Sequence, residues 1–325
     1  MKIKTIYVED KIKDHKNTKQ IISRIKYENL IYCDHYSEVF NPSNQNFRIQ
    51  KQFPSLILAK KDGNLVQKAP RDFSIGYKNN YYFSHMFNCP YDCKYCYLQG
   101  MLNSANYLIF VNYEDFLNEI KTITLKNKDT TCFFSGYDCD SLALEKLTRF
   151  VEKSINYFEK INKGILEIRS KSINIEVLKK KKPLPNVIPA FSLNPQFVIN
   201  NFEDKTPSLL KRLNAISTLQ KSEWYVGLRF DPIVWNDSDE KYISFFNKVF
   251  KNIDISRVHS VTLGNFRMPS TYLKKISKIM PDNYFIQYEN SKRVLNLQEE
   301  KKNEKTELCI KQISKFIDKS KIFLN

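Results

Sequence analysis

From about residue 75 onward, short runs of β-branched and aromatic residues alternate with stretches whose apolar residues recur at helical spacing. This alternation predicts repeated strand–helix units around a parallel sheet. The predicted strands are 81–87, 107–111, 131–134, 165–168, 187–193, 225–230 and 258–263, and the predicted helices are 114–126, 144–158, 173–178, 207–219, 239–250 and 272–279. About six repeats result, fewer than the eight of a closed barrel, so we predict an incomplete parallel (β/α)6 barrel with its chemistry at the C-terminal strand ends.

The two ends of the chain show different patterns. Residues 1–75 predict a strand near Ile6, a helix over 21–25 and a hairpin over 56–65 that turns on Asp62-Gly63, which we interpret as a small N-terminal α/β subdomain. The barrel would then occupy 76–290. A Lys/Glu-rich stretch over 298–321 predicts a solvated surface helix within a C-terminal extension, 291–325.

Composition narrows the class of protein. Hydrophobic residues make up 42% of the chain and aromatic residues 14%, which excludes a disordered chain. Only 7 glycines occur, and no GxGxxG or GxxxxGK run is present, so a glycine-rich phosphate loop is not predicted. The chain begins with charged residues and lacks a long apolar run, so we expect a cytoplasmic protein.

The charge balance is strongly basic. Lys and Arg total 52 against 35 Asp and Glu, a net charge of +17, which suits a polyanionic partner such as nucleic acid. Lys is much more frequent than Arg, and Ile, Asn and Phe are abundant, which is also the composition that an AT-rich genome produces. Charge alone therefore leaves both explanations open.

Three of the seven cysteines form a tight cluster directly after a predicted strand. Cys89, Cys93 and Cys96 are spaced as C-x3-C-x2-C. Ordinary iron–sulfur and structural zinc sites take four protein ligands, so three thiolates would leave one iron of a cluster open for a reacting ligand. Two alternatives remain beside an open 4Fe-4S cluster: a zinc site completed by His85, or cysteines that only pack.

The motif, with Tyr95 before its last cysteine, resembles that of the radical S-adenosylmethionine superfamily. The run from Cys93 to Gln99, Cys-Lys-Tyr-Cys-Tyr-Leu-Gln, is similar to the spore photoproduct lyase family, and the resemblance continues through 6–9, 140–144, 169–171, 191–194, 198–200 and 263–267. It implies a radical lyase of DNA repair with a partial barrel, a 4Fe-4S cluster and S-adenosyl-L-methionine. The implied partners are DNA that carries a pyrimidine photolesion and an electron donor such as flavodoxin or ferredoxin.

The resemblance also implies roles for individual residues. Cys89, Cys93 and Cys96 would bind the cluster. The implied cofactor contacts are Gly136 at the methionyl amine, Lys171 at the carboxylate, Ser192 and Asn194 at the ribose, and Tyr95 against the adenine. Tyr97 would relay the radical.

The hydrogen donor departs from the family pattern. Characterised members have a cysteine at the position that matches Tyr137, whereas this chain has Cys139, displaced by two residues. Cys139 is the candidate donor, and its place near a predicted helix start would favour the thiolate; the alternative is a small residue without a redox role. Arg229 and Arg267 are candidates to hold DNA phosphates at the barrel mouth, the alternative being ordinary salt bridges at strand ends.

Two further functions stay open at this point. One is a radical S-adenosylmethionine enzyme that acts on an RNA or small-molecule substrate. The other is a zinc-stapled nucleic-acid-binding protein, although six strand–helix repeats around a cysteine loop suit a catalyst better.

Overall fold

The chain is organised by an eight-stranded and a five-stranded sheet in the computed structural model, which describes residues 3–234, 238–283, 285 and 295–324. The strands are β1 Thr5–Glu9, β2 Asn29–Cys33, β3 Leu56–Ala59, β4 Val66–Lys68, β5 Asn79–Phe83, β6 Met86–Phe87, β7 Asp92–Cys93, β8 Tyr107–Phe110, β9 Thr131–Ser135, β10 Gly164–Ser170, β11 Val187–Ser192, β12 Glu203–Asp204, β13 Val226–Ile233, β14 Val258–Asn265 and β15 Ile322–Leu324. The α-helices are α1 Lys16–Ile22, α2 Ser37–Phe40, α3 Phe47–Gln52, α4 Leu98–Met101, α5 Tyr113–Lys126, α6 Glu145–Thr148, α7 Phe150–Phe158, α8 Glu176–Lys179, α9 Gln196–Phe202, α10 Leu209–Lys221, α11 Asp239–Lys251, α12 Ser270–Ile279 and α13 Leu295–Ile313.

The eight-stranded sheet is the incomplete barrel that the strand–helix alternation predicts. Its order is β15-β14-β13-β11-β10-β9-β5-β4, and the six strands from β5 to β14 run parallel to their neighbours. Strands β9 and β11 are buried along their whole length, because helices cover the outer face and side chains fill the inner one. The prediction of a (β/α)6 partial barrel is confirmed.

The five-stranded sheet, in the order β2-β1-β3-β8-β6, corrects several N-terminal predictions. The hairpin over 56–65 is wrong: β3 pairs in parallel with β1 and β8, whereas β4 pairs with β5 in the barrel sheet. Gly63 does turn the chain, with φ of 70°. The apolar pattern identified the first strand, β3, whereas β4 begins at Val66, just beyond the predicted hairpin. A local turn signal does not say which sheet a strand joins.

Both sheets contain strands from before and after residue 75, the predicted boundary of the N-terminal subdomain. The predicted strand 81–87 is divided between β5 and β6, which lie in different sheets, and the predicted barrel strand 107–111 is β8 of the N-terminal sheet. The division into 1–75, 76–290 and 291–325 therefore stays a prediction, and its boundary at 290 lies outside the described residues.

Two helix predictions also need correction. The helix over 144–158 breaks at Arg149, whose φ is +50°, and the Glu145 carboxylate then accepts hydrogen bonds from the Val151 and Glu152 amides at the start of α7. The C-terminal helix is not simply solvated, because Cys309 and Ile313 are buried in the main core. Among the described helices, none combines the length and hydropathy needed to cross a membrane.

Candidate active site

A cavity of about 450 Å³ lies at the C-terminal ends of the inner strands. Its lining includes the ends of β9, β10, β11 and β14, together with the cysteine loop between β6 and α4. The predicted site residues that line it are Cys89, Cys93, Tyr95, Cys96, Tyr97, Gly136, Cys139, Lys171 and Ser192. Asn194 is the predicted site residue that does not. The fold thus brings one continuous motif and several strand ends to a single cavity.

The cysteine loop is held by contacts from distant parts of the chain. Cys93 belongs to β7, which pairs antiparallel with β12. The Gln99 amide donates to the Cys93 carbonyl over 2.8 Å, and the Lys51 ammonium donates to the Cys89 carbonyl. Arg48 donates to both carboxylate oxygens of Asp92, over 2.8 and 3.1 Å. A two-pronged charged contact of this kind fixes direction as well as distance.

All three thiols are free, and burial raises their pKa values. The pKa of Cys89 rises to about 12. For Cys93 burial is again the largest cause, partly offset by the positive charge of Lys171. These thiols become ligands by losing protons, so cation or cluster binding at the loop releases protons.

The donor set fits an iron–sulfur cluster better than zinc. His85, the proposed fourth zinc ligand, lies outside the cavity lining and is stacked on Phe150, with ring centroids 4.0 Å apart. Within the described ranges, no group of three or more His, Cys, Asp or Glu side chains is arranged to hold one metal ion. A four-iron cluster binds each thiolate at a different iron and therefore does not require its ligands to converge on one point. His85 is therefore not placed to be the fourth ligand that the zinc alternative requires.

The turn after β9 is built around a glycine. Gly136 has φ of +79°, and a Cβ there would lie 2.5 Å from the Ser141 hydroxyl oxygen and 2.9 Å from the Arg169 carbonyl oxygen. A side chain at this position would therefore be both strained and in collision. The close approach lets backbone atoms form the cavity wall.

Asp140, which is not among the predicted site residues, links two strand ends. Its carboxylate accepts from the Ser170 hydroxyl over 2.6 Å and from the Lys171 amide over 2.7 Å. It also accepts from the amides of Leu142 and Ala143, which close a turn ahead of α6. Asp140 thereby sets the position of Lys171 relative to the β9 turn.

Lys171 supplies positive charge to the cavity. Its ammonium lies 5.7 Å from the centroid of the Tyr95 ring. Burial alone would lower the pKa of Lys171, but Glu203 and Cys93 raise it overall, so the side chain is a cation at neutral pH. A partly buried cation beside three thiols suits an anionic group of a bound cofactor.

Behind Tyr95 lies a buried polar network that sequence reasoning missed. The Tyr95 hydroxyl donates to Glu203, which also accepts from Arg212 and, over 2.8 Å, from the Asn194 amide. Arg212 in turn donates to the Ser192 carbonyl over 3.0 Å. Asn194 therefore positions Tyr95 and Glu203 in this structure, and its contact with a ribose stays a prediction. No motif marks Glu203 or Arg212.

A second tyrosine, Tyr97, is held over the turn after β9. Its hydroxyl lies 2.7 Å from the Tyr137 carbonyl oxygen and 3.0 Å from a carboxylate oxygen of Asp138. The Ser84 hydroxyl donates to the other Asp138 oxygen over 2.7 Å. Asp138 was not predicted as a site residue.

Cys139 lines the cavity, but its environment differs from the expected one. No helix begins at this position, and burial raises the pKa of Cys139 well above its usual range. The thiolate predicted from a helix start is therefore wrong. The protonated S–H form is the one that can give a hydrogen atom.

The two arginines proposed for the barrel mouth lie in different environments, one buried and one exposed. Arg229 is fully buried, donates to Glu167 over 2.8 Å and donates to the Ser260 carbonyl over 3.0 Å, so its placement at the mouth is wrong. Arg229 forms a salt bridge with Glu167 inside the barrel. Arg267 is exposed and lines the cavity.

Comparison with known proteins gives one consistent result. A family model described as spore photoproduct lyase matches residues 4–321. The chain is similar to the spore photoproduct lyase of Bacillus subtilis (strain 168), with 27% identity over 220 residues, which is 67% of this chain and 62% of that protein. For the enzyme of Geobacillus sp. (strain Y412MC61), identity is 28% over 169 residues, 51% of this chain and 50% of that protein. The aligned part is thus less than two thirds of either relative.

Solved structures show the same fold over nearly the whole chain. A spore photoproduct lyase complexed with dinucleoside spore photoproduct matches with a TM-score of 0.80 and 18% identity, over 99% of this chain and 98% of that one. A double mutant of spore photoproduct lyase with bound AdoMet and dinucleoside spore photoproduct matches with a TM-score of 0.78 and 17% identity, with the same coverage, 99% and 98%.

Proposed function

The chain belongs to the spore photoproduct lyase family, and from this premise we propose that it is a radical S-adenosylmethionine lyase that cleaves a thymine photolesion in DNA. One observation carries the proposal: the three cysteines, Lys171 and Cys139 line a single cavity at the C-terminal ends of the barrel strands. That is the edge at which parallel barrels place their chemistry. A related structure holds both AdoMet and the dinucleoside lesion.

Cys89, Cys93 and Cys96 are the residues proposed to hold a 4Fe-4S cluster, with S-adenosyl-L-methionine at its open iron. When bound, this pair supplies a 5'-deoxyadenosyl radical through reductive cleavage of the cofactor. The protein contributes position and exclusion of water. Its loop is fixed by Lys51 at the Cys89 carbonyl and by Gln99 at the Cys93 carbonyl.

The surrounding residues orient the cofactor. Lys171 pairs with the cofactor carboxylate, and the open backbone at Gly136 accepts the methionyl amine without a side chain in the way. Tyr95 packs against the adenine, and Glu203 holds its hydroxyl on the far side. Ser192 and Asn194 complete the proposed ribose side, Asn194 through its bond to Glu203.

We propose that the lesion binds at the mouth of this cavity, beside the cofactor. A volume of about 450 Å³ lies within the usual range for a site that encloses a small ligand. A crosslinked thymine pair stacks poorly, so its extrusion from the duplex costs less than flipping an intact base. Arg267, exposed at the lining, faces the flanking phosphates, and the net charge of +17 favours DNA in general.

Two residues act on the substrate radical. Loss of a hydrogen atom from C6 of the saturated thymine ring places a radical next to the carbon that carries the methylene bridge. The bridge bond then breaks by β-scission, and the methylene radical left on the other thymine needs one hydrogen atom back. Cys139 holds a protonated thiol in the cavity wall and is the proposed donor. Tyr97, one residue from the cluster loop, is the proposed relay that restores the hydrogen to Cys139.

Anaerobic reconstitution with iron and sulfide tests the proposal. Reconstituted protein should be brown. After reduction it should cleave S-adenosylmethionine to 5'-deoxyadenosine and methionine, and should convert an oligonucleotide containing spore photoproduct to one with two thymines. Undamaged thymine-rich DNA is the control. Cofactor cleavage without lesion repair would instead support a radical enzyme with an RNA or small-molecule substrate, and colourless protein with bound zinc would defeat both.

A further inference from the structure

A second cavity, of about 490 Å³, lies on the outer side of the cysteine loop. It is lined by Lys4, Lys51, Gln52, Phe53, Pro54, Ser55, Pro90, Tyr91, Tyr107 and Lys205, a set that we call the outer surface. Pro90 and Tyr91 directly follow Cys89, and Tyr91 also lines the barrel cavity. The wall between the two cavities is therefore the cysteine loop itself.

The outer surface is positively charged. Three of its residues are lysines, and no Asp or Glu occurs among the residues that line it in the described part of the chain. Lys4 and Lys205 are exposed, whereas Lys51 is buried and donates to the Cys89 carbonyl. An acidic partner bound to the two exposed lysines would thus lie at the surface that includes Pro90, the residue after the first proposed cluster ligand, Cys89.

An exposed aromatic side chain lies among these lysines. Phe53 is 74% exposed, more than Tyr32, Ile31 or the other large apolar side chains of the N-terminal sheet. It follows directly on α3, next to the buried Pro54. An aromatic residue surrounded by charged residues is the usual composition of a protein-binding patch, where the aromatic group packs and the charges orient the partner.

We propose that the outer surface docks a small acidic electron-transfer protein that reduces the cluster. The inference rests on the proposed function, because it needs a redox centre behind the loop. One electron leaves the carrier and enters the cluster, so the carrier is oxidised by one electron, the cluster is reduced by one, and no atom is transferred. Electrostatic steering suits this task, since electron-transfer encounters are small and short-lived.

The location also leaves the substrate side accessible. The outer surface and the barrel cavity share Tyr91 among their lining residues, while Arg267 lines only the barrel cavity. The proposed DNA contact at Arg267 is therefore not part of the outer surface. Binding of nucleic acid to the same lysines is the competing interpretation. It predicts that reversing their charge weakens DNA binding and leaves flavodoxin binding unchanged.

The test uses the full-length reconstituted protein and a purified acidic flavodoxin as the probe. Lys4→Glu/Lys205→Glu reverses both exposed charges of the outer surface. Lys180→Glu/Lys182→Glu is the matched control, since it makes the same change in net charge at exposed positions on the loop that leads into β11, at the opposite end of the barrel strands. Phe53→Ser tests the aromatic residue without changing charge.

Binding is measured first, with oxidised flavodoxin, by titration and by carbodiimide cross-linking of lysines to carboxylates. We expect the Lys4→Glu/Lys205→Glu variant to bind roughly tenfold more weakly or worse, since attraction becomes repulsion at two positions. In the unaltered protein, cross-links should map to Lys4 or Lys205. Equal loss of affinity in the control variant, or cross-links confined to other lysines, would overturn the proposal.

Turnover then separates this proposal from the proposed function. Cleavage of S-adenosylmethionine should fall when flavodoxin hydroquinone is the reductant, yet stay unchanged with dithionite, which needs no docking site. Failure with dithionite in the unaltered protein would defeat the proposed function instead. Unchanged flavodoxin binding together with weakened DNA binding in the Lys4→Glu/Lys205→Glu variant would assign the outer surface to nucleic acid and overturn the docking proposal.

Discussion

The Tyr97 hydroxyl lies 3.0 Å from a carboxylate oxygen of Asp138, which the Ser84 hydroxyl holds from the other side. Asp138 precedes Cys139, and burial, its largest influence, raises the pKa of Asp138. Tyr97 is thus bonded to the residue that precedes Cys139, and both Tyr97 and Cys139, the two residues of the proposed relay, line the cavity. A phenol gives up its hydrogen atom more easily when its proton already points at an acceptor.

Tyr97→Phe should uncouple cofactor cleavage from repair. Phenylalanine has no phenolic hydrogen atom to pass on, so the relay step should be lost while cleavage of the cofactor continues. The measurement is the ratio of 5'-deoxyadenosine formed to lesion repaired, which should rise. Tyr113→Phe is the control, because Tyr113 is buried and bonds the Thr148 carbonyl away from the cavity. An unchanged ratio in Tyr97→Phe would remove the residue from the relay.

Iron content should depend on three cysteines and on no other. Cys89→Ala, Cys93→Ala and Cys96→Ala should each lose most of the iron, because each thiolate binds a different iron. Cys132→Ala and Cys309→Ala are controls, since both residues are buried away from the cavity. Cys139→Ala should keep its iron and cleave the cofactor while repairing the lesion poorly. Comparable iron loss in Cys139→Ala would make it a ligand.

Lys171→Ala should weaken binding of S-adenosylmethionine. A charge-assisted hydrogen bond of about 1.5–3 kcal/mol corresponds to about a 10- to 150-fold change in Kd. Equilibrium dialysis with the labelled cofactor measures it. Lys180→Ala, an exposed lysine outside the cavity lining, should bind as the unaltered protein does. The same Kd in both variants would exclude Lys171 from the site.

We expect Arg229 to contribute to the stability of the fold and Arg267 to contribute to DNA binding. Arg229→Met removes one of the two arginines that pair with the buried Glu167 and leaves Arg169 as the other, which should lower the free energy of unfolding by up to about 3–5 kcal/mol in urea titrations. Arg267→Gln should leave that free energy unchanged and reduce the slope of log K for DNA against log salt by about 0.9, the value for one phosphate contact. An unchanged slope would place the DNA phosphates elsewhere.

His85 should make the fold sensitive to mild acid. Burial lowers the pKa of His85 from 6.5 to about 3, so the folded protein keeps the ring neutral while the unfolded chain takes up a proton below pH 6.5. Stability is therefore lost as the pH falls from about 6.5 towards 3, and at pH 5 the loss is about 2 kcal/mol. In His85→Gln this part of the pH dependence should vanish. His35→Gln, at a partly exposed histidine, is the control.

The sequence alone determined the barrel and the cysteine loop. Apolar periodicity reports which face of an element is buried, so it identified the parallel strands and most of their helices. The cysteine motif is local: its three cysteines lie within eight positions, and any fold that forms the loop brings them together. Placement at the C-terminal strand ends followed from the topology of a parallel sheet, and the cavity lining agrees with it.

Only the tertiary structure decided which distant residues meet. Periodicity does not name a strand's partner, so β4 and β8 were assigned to the wrong sheets. Glu203 reaches Tyr95 across 108 positions of sequence, and Arg229 reaches Glu167 across 62, with no motif at either end. Whether a charged residue at a strand end faces the cavity or the barrel interior depends on the pleat and register of the sheet. Arg229 faces inward, and a buried charge needs a partner of opposite charge, which Glu167 provides.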